Sequence, residues 1–103
     1  MWLARALRTG VPKVHVQVLS KPDCCLCDQT RFAITRIIEN AALHDRVILE
    51  SVNIETDQSL KDEYELTIPV ILVNGKIVAE SIIDVPAIRA AIQARIAQLD
   101  SPS

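Results

Sequence analysis

Between Lys13 and Leu19 the chain alternates, with Val14, Val16 and Val18 apolar and His15 and Gln17 polar. A period of two separates the two faces of a strand, so this stretch predicts a first strand with one face in the core. From Cys24 to about residue 43 the period lengthens: Leu26, Ala33, Ile34, Ile37, Ile38 and Ala41 fall on one arc at helical spacing, and Cys27 borders that arc. Asp28, Gln29, Thr35, Arg36, Glu39 and Asn40 make the opposite face polar, with Phe32 a misfit in its middle. Residues 46–54 supply a second strand through Val47, Ile48, Leu49, Val52 and Ile54. The helix between the two strands is then a crossover, which predicts a parallel βαβ unit.

The pattern continues with a polar stretch from Thr56 to Tyr64, where Leu60 and Tyr64 stand four apart and Asp57 or Ser59 can start a short helix. Ile68 to Val73 and Lys76 to Ala79 read as two strands around Asn74-Gly75, a pair suited to a tight hairpin turn. In the last helix Asp84 is the expected cap, Pro86 is tolerated in the first turn, and Val85, Ile88, Ile92, Ile96 and Leu99 form the buried stripe. The predicted fold class is α/β, in the order β-α-β-α-β-β-α with a four-stranded mixed sheet.

The 103 residues, half of them apolar, suffice for one domain with an ordinary core. We place that domain at residues 13–99, with an N-terminal extension at 1–12 and a C-terminal tail at 100–103. The extension carries Trp2, Leu3 and Leu7 among Arg5 and Arg8, and lacks the continuous apolar stretch and small-residue cleavage site of a secretory signal. A formal net charge of −2 leaves no basic footprint for nucleic acid, and no apolar run approaches the roughly 20 residues of a membrane span. Neither nucleic acid nor a membrane is therefore an expected partner, and the expected state is a monomer.

All three cysteines lie in one tetrapeptide, Cys24-Cys25-Leu26-Cys27. A secreted disulfide scaffold spreads its cysteines, whereas this clustering fits a reducing compartment and a cytoplasmic location. The tetrapeptide falls where the first strand runs into the first helix. Unpaired N–H groups at a helix start favour a thiolate over a thiol, so Cys24 is the candidate attacking sulfur. Cys27, one turn on, is the candidate resolving sulfur. Cys25 would form only a strained vicinal bond with Cys24 and reads as a small side chain tolerated in the loop. The competing chemistry is metal or iron–sulfur binding by the same cysteines. A structural zinc site takes four protein ligands, however, and His15 and His44 lie elsewhere in the predicted fold, so no metal site is assigned. A thioredoxin-fold interaction module with little turnover is the third alternative.

The whole run resembles the small glutaredoxin-like proteins of the thioredoxin superfamily. Ser20-Lys21-Pro22-x-Cys24-x-x-Cys27 is similar to the glutaredoxin active-site run, and Cys24-x-Leu26-Cys27-Asp28 to its uncharacterised glutaredoxin-like branch. Asn53-Ile54-Glu55 to Leu60 and Tyr64, then Thr67-Ile68-Pro69-Val70, resemble that branch's second strand, short helix and proline loop. The resemblance implies a minimal thioredoxin fold, a cis Pro69 facing the dithiol, and flanking backbone at Ile68 free to pair with substrate. It also implies that Lys21 contacts a substrate carboxylate or steadies the thiolate. The activity it implies is thiol–disulfide exchange with a protein disulfide or small thiol substrate. No bound cofactor is expected, and glutathione or a flavoprotein reductase would supply electrons. Ala79-Glu80-Ser81 departs from the family, whose glutathione-binding members carry a Gly-Gly pair after the hairpin.

Overall fold

The computed structural model describes residues 13–82 and 84–100. The expected extension at 1–12 and residues 101–103 of the expected tail lie outside the described residues. Strand β1 (Val14–Ser20) leads to helix α1 (Cys25–Asn40) and strand β2 (Val47–Asn53). A 3-10 turn at Ile54–Thr56 precedes helix α2 (Gln58–Tyr64), followed by strands β3 (Val70–Val73) and β4 (Lys76–Glu80) and helix α3 (Val85–Asp100). The strands form one sheet in the order β2-β1-β3-β4, β1 pairing parallel with β2 and antiparallel with β3, and β3 antiparallel with β4. In the described residues this mixed four-stranded sheet with three helices is a minimal thioredoxin fold, as the pattern predicts.

The alternation in β1 does what it promises. Val14, Val16 and Val18 join Ile34, Ile37 and Ile38 of α1, Ile71 and Val73 of β3, and Ile88 and Ile92 of α3 in the main core. Among the described residues, the other sheet face is covered at one end, where Leu60 and Tyr64 of α2 pack on Leu19, Ile54 and Val70. Asp57 caps α2, its carboxylate accepting the N–H groups of Ser59 and Leu60 at 2.8 and 3.4 Å. Asp84 caps α3 by accepting the Ala87 N–H at 3.1 Å.

Asn74 and Gly75 both adopt left-handed backbone, with φ of 50° and 84°. Such turns match the twist of a hairpin, and a side chain at Gly75 would be strained. Asn74 also ties the hairpin to β1, donating its N–H to the His15 carbonyl at 2.8 Å and accepting the His15 N–H on Oδ1 at 2.7 Å.

Some boundaries and faces differ from expectation. Helix α1 stops at Asn40, with Ala42 at φ 54° closing it, so Ala41 lies exposed beyond the helix. Leu26, expected on the buried arc, is exposed in the first turn of α1. Thr30 takes a place in the arc instead, fully buried, with its hydroxyl donating to the Leu26 carbonyl at 2.8 Å.

The C-terminal turn of α3 is anchored by Asp100, whose two carboxylate oxygens accept bonds of 2.7 and 3.2 Å from the Arg46 guanidinium. That hydrogen bonding, aided by the charge of Arg46, holds the Asp100 carboxyl below its ordinary range. A carboxyl whose folded pKa lies below its unfolded value of about 3.9 contributes stability above that value and loses it as pH falls through the lowered one. Asp100→Asn should therefore flatten the acid limb of the stability curve, measured as Tm from pH 7 down to pH 2. Acid limbs that superimpose for the two proteins would contradict this.

Candidate functional site

The end of β1 delivers the site. Ser20 is buried, Lys21 and Pro22 are exposed, and Asp23 turns the chain with a left-handed φ of 63° before Cys24. Cys24 is the N-cap of α1, with extended backbone, and its Sγ accepts the Cys27 N–H at 3.2 Å. Its carbonyl accepts the Asp28 N–H at 3.1 Å, closing the first helical turn. One of the donors left over at a helix start is thus spent on the sulfur, which favours negative charge there. Cys24 and Cys27 are joined as a disulfide, with their Cα atoms 5.2 Å apart.

The two sulfurs differ in access. Cys24 is half-buried, whereas Cys27 is only 1 % exposed, under the arc that packs on the sheet. Cys25 is free and exposed, on a different face of the helix. In the same first turns Asp28 pairs with Arg31.

Sheet register brings the proline loop to the same end. Leu19 pairs with Val70, and Val70 with Glu80, so Ser20, Pro69 and Ser81 follow or precede these partners at one end of the sheet. The Ile68–Pro69 peptide is cis, as the resemblance implies, and Pro69 is fully buried. The Ile68 N–H is not available to a substrate, because it donates to the Tyr64 carbonyl at 3.1 Å. The Ile68 side chain packs on the cluster of Leu19, Ile54 and Val70. Lys21 makes no hydrogen bond or ion pair among the described residues, so its ammonium is free to meet a ligand.

In the sequence Ala79-Glu80-Ser81 puts side chains, one of them anionic, where a glutathione groove would have glycines. The structure gives Ser81 a specific part: φ is 63°, its N–H donates to the Pro69 carbonyl at 2.9 Å, and its hydroxyl to the Thr67 carbonyl at 3.1 Å. A serine thereby occupies a left-handed position and straps the end of β4 to the proline loop. Nearby, the Tyr64 hydroxyl is held protonated beyond its ordinary range, first by burial and then by the carboxylates of Glu63 and Glu80.

No group of three or more His, Cys, Asp or Glu side chains is arranged to hold a metal ion among the described residues. His15 pairs with Glu50 at 2.8 Å on the sheet face opposite the main core, and His44 is exposed on the connection to β2. A cleft of about 270 Å³ between the β3–β4 hairpin and α3, lined by Asn74, Lys76 and Arg95, opens at the opposite end of the sheet from the dithiol.

Fold and cysteine pair together define a thioredoxin-fold protein whose two cysteines sit at disulfide distance on a helix start. The sequence profile of the glutaredoxin-like domain (DUF836) matches residues 15–93, and the chain belongs to that family. No curated protein matches it. Among solved structures it is similar to a structural-genomics target protein from X. campestris, at 25% identity over 77% of this chain and 96% of the other, with a TM-score of 0.57. It is also similar to a protein of unknown function from Staphylococcus aureus, at 16% identity over 82% and 93% with a TM-score of 0.64. Oxidized mitochondrial thioredoxin 3 of Saccharomyces cerevisiae matches at 18% identity over 90% and 88%, with a TM-score of 0.58. These likenesses show the fold.

Proposed function

We propose that the protein is a thiol–disulfide oxidoreductase acting through Cys24 and Cys27. The observation that carries this is the pairing of a half-exposed sulfur, bonded by a helix N–H, with a buried sulfur one turn below it. In the reduced protein the Cys24 thiolate attacks one sulfur of a substrate disulfide. The substrate S–S bond breaks, a mixed disulfide forms, and the other substrate sulfur leaves as a thiolate that takes a proton. Cys27 then loses its proton and attacks Cys24 Sγ, releasing the second substrate thiol and closing the Cys24–Cys27 bond. Two electrons from glutathione or a flavoprotein reductase return the pair to the dithiol. Lys21 beside the approach and the part-exposed Ile68 across it are the residues we assign to substrate contact, with the buried Pro69 shaping the loop from behind.

We place this chemistry in the cytoplasm, on a monomer, with no resident cofactor. The test is reduction of a disulfide by the protein with an external dithiol, followed by thiol counting. A visible absorption band on anaerobic purification, with no disulfide turnover, would assign the cysteines to an iron–sulfur cluster instead.

The strap at Ser81 bears on the electron donor. Glutathione-binding glutaredoxins keep glycines where the tripeptide nears the backbone, and here Ser81 closes onto Thr67 and Pro69. A lost hydrogen bond is worth about 0.5–1.5 kcal/mol and about 1.4 kcal/mol is tenfold, so losing one or two should put glutathione-coupled turnover about tenfold below turnover with a dithiol reductant. Equal rates with the two reductants would sink this prediction.

A further inference from the structure

The dithiol end of the sheet carries the two most exposed large apolar side chains among the described residues, Leu66 at 92 % and Ile82 at 77 %. They are neighbours through the strap, since Leu66 precedes Thr67 and Ile82 follows Ser81, and Ser81 bonds Thr67 and Pro69. Leu26, inside the cysteine motif, is also exposed. Exposed apolar groups this close to a reactive pair point to a ligand larger than a tripeptide thiol, because each is covered only by something that extends beyond the sulfur.

Charge selects among such ligands. Glu80 ends β4 opposite Val70, next to Pro69, and its carboxylate acts on Tyr64 together with that of Glu63. Asp84 caps α3 just beyond Ile82. Lys61 on this side stands 4.0 Å from Glu65, while Lys21 lies on the β1 loop across the dithiol. The proline-loop side is thus anionic, and the apolar pair sits within it.

We propose that the preferred substrate is a disulfide in a polypeptide segment that carries an apolar residue and a cationic residue beside the cystine, with Leu66 and Ile82 meeting the first and Glu80 the second. This rests on the oxidoreductase reading and adds the class of substrate to it. Anionic disulfides, oxidised glutathione among them, are disfavoured by the same carboxylate. Rim charges act mainly on encounter and specificity, so the effect is a bias and not an absolute filter.

The experiment compares two disulfide-linked peptide dimers of the same sequence, one with Lys and one with Glu beside the cystine. Hydroxyethyl disulfide, small and neutral, serves as the reference substrate. The wild-type protein should prefer the Lys peptide in kcat/KM, and Glu80→Gln should lower that preference about threefold, with added salt doing the same. Glu80→Lys should invert it. Leu66→Ser with Ile82→Ser should lower kcat/KM for both peptides about tenfold relative to hydroxyethyl disulfide. A preference unmoved by either Glu80 variant, with hydroxyethyl disulfide still reduced, overturns the substrate assignment and leaves the oxidoreductase reading standing. Failure of the wild-type protein to reduce any of the three disulfides overturns both.

Discussion

Cys24→Ser is expected to abolish disulfide reduction, whereas Cys27→Ser should accumulate a mixed disulfide with the substrate on Cys24. The two outcomes differ in kind because the sulfurs differ in place. Of the pair, Cys24 is the part-exposed helix cap that receives the Cys27 N–H, so it is the one placed to meet an incoming disulfide. Cys27 is 1 % exposed and reaches only the sulfur one turn above it. Removing it stops the second displacement and leaves the first product in place. Cys25→Ser should leave the cycle running, since Cys25 is free and exposed beside the pair. Non-reducing gels and mass spectrometry of each reduced variant mixed with a disulfide substrate read all three results. A Cys25→Ser protein as inactive as Cys24→Ser would show that attacker and resolver are wrongly assigned.

The second large effect concerns the scaffold. Ile71 is fully buried on β3, paired with Val18 on one side and Ala79 on the other, at the centre of the main core. Ile71→Ala should cost about 2–5 kcal/mol, because the flanking strands cannot collapse into the cavity. For a domain of this size that lowers Tm by roughly 10 °C or more. Ile77→Ala, on the exposed face of β4, should stay within about 0.5 kcal/mol of the parent. Thermal unfolding of the pair checks the contrast, and equal losses would mean that the core is not organised around β3.

Much of this was legible in the sequence because it rests on local rules. The valines of β1, the Asn74-Gly75 turn and the caps at Asp57 and Asp84 each encode their own geometry. The placement of Cys24 before an apolar arc was enough to mark it as the helix start. Phe32, out of phase with that arc, is exposed as its phase requires.

The misses have physical causes. Thr30 counts as polar in any pattern, yet its hydroxyl is satisfied by a carbonyl of its own helix, so it can be buried without penalty. Leu26 is in phase with the core yet exposed, in a first turn whose buried side chain is Cys27. Arg46 and Asp100 are 54 residues apart, and nothing local announces their pairing. Ser81 holds a backbone conformation that glycine would have signalled; a serine there is stabilised by its bonds to the proline loop, which only the folded chain supplies.

The central claim is that Cys24 and Cys27 form a reversible redox couple. It is tested most directly by equilibrating the protein across glutathione redox buffers, alkylating, and locating the bond by peptide mapping. The account predicts a single two-electron transition within roughly −270 to −120 mV, the span of related dithiol proteins, with Cys24 and Cys27 alkylated only on the reduced side and Cys25 alkylated throughout. All three cysteines alkylated at every potential, or a bond that includes Cys25, would contradict it.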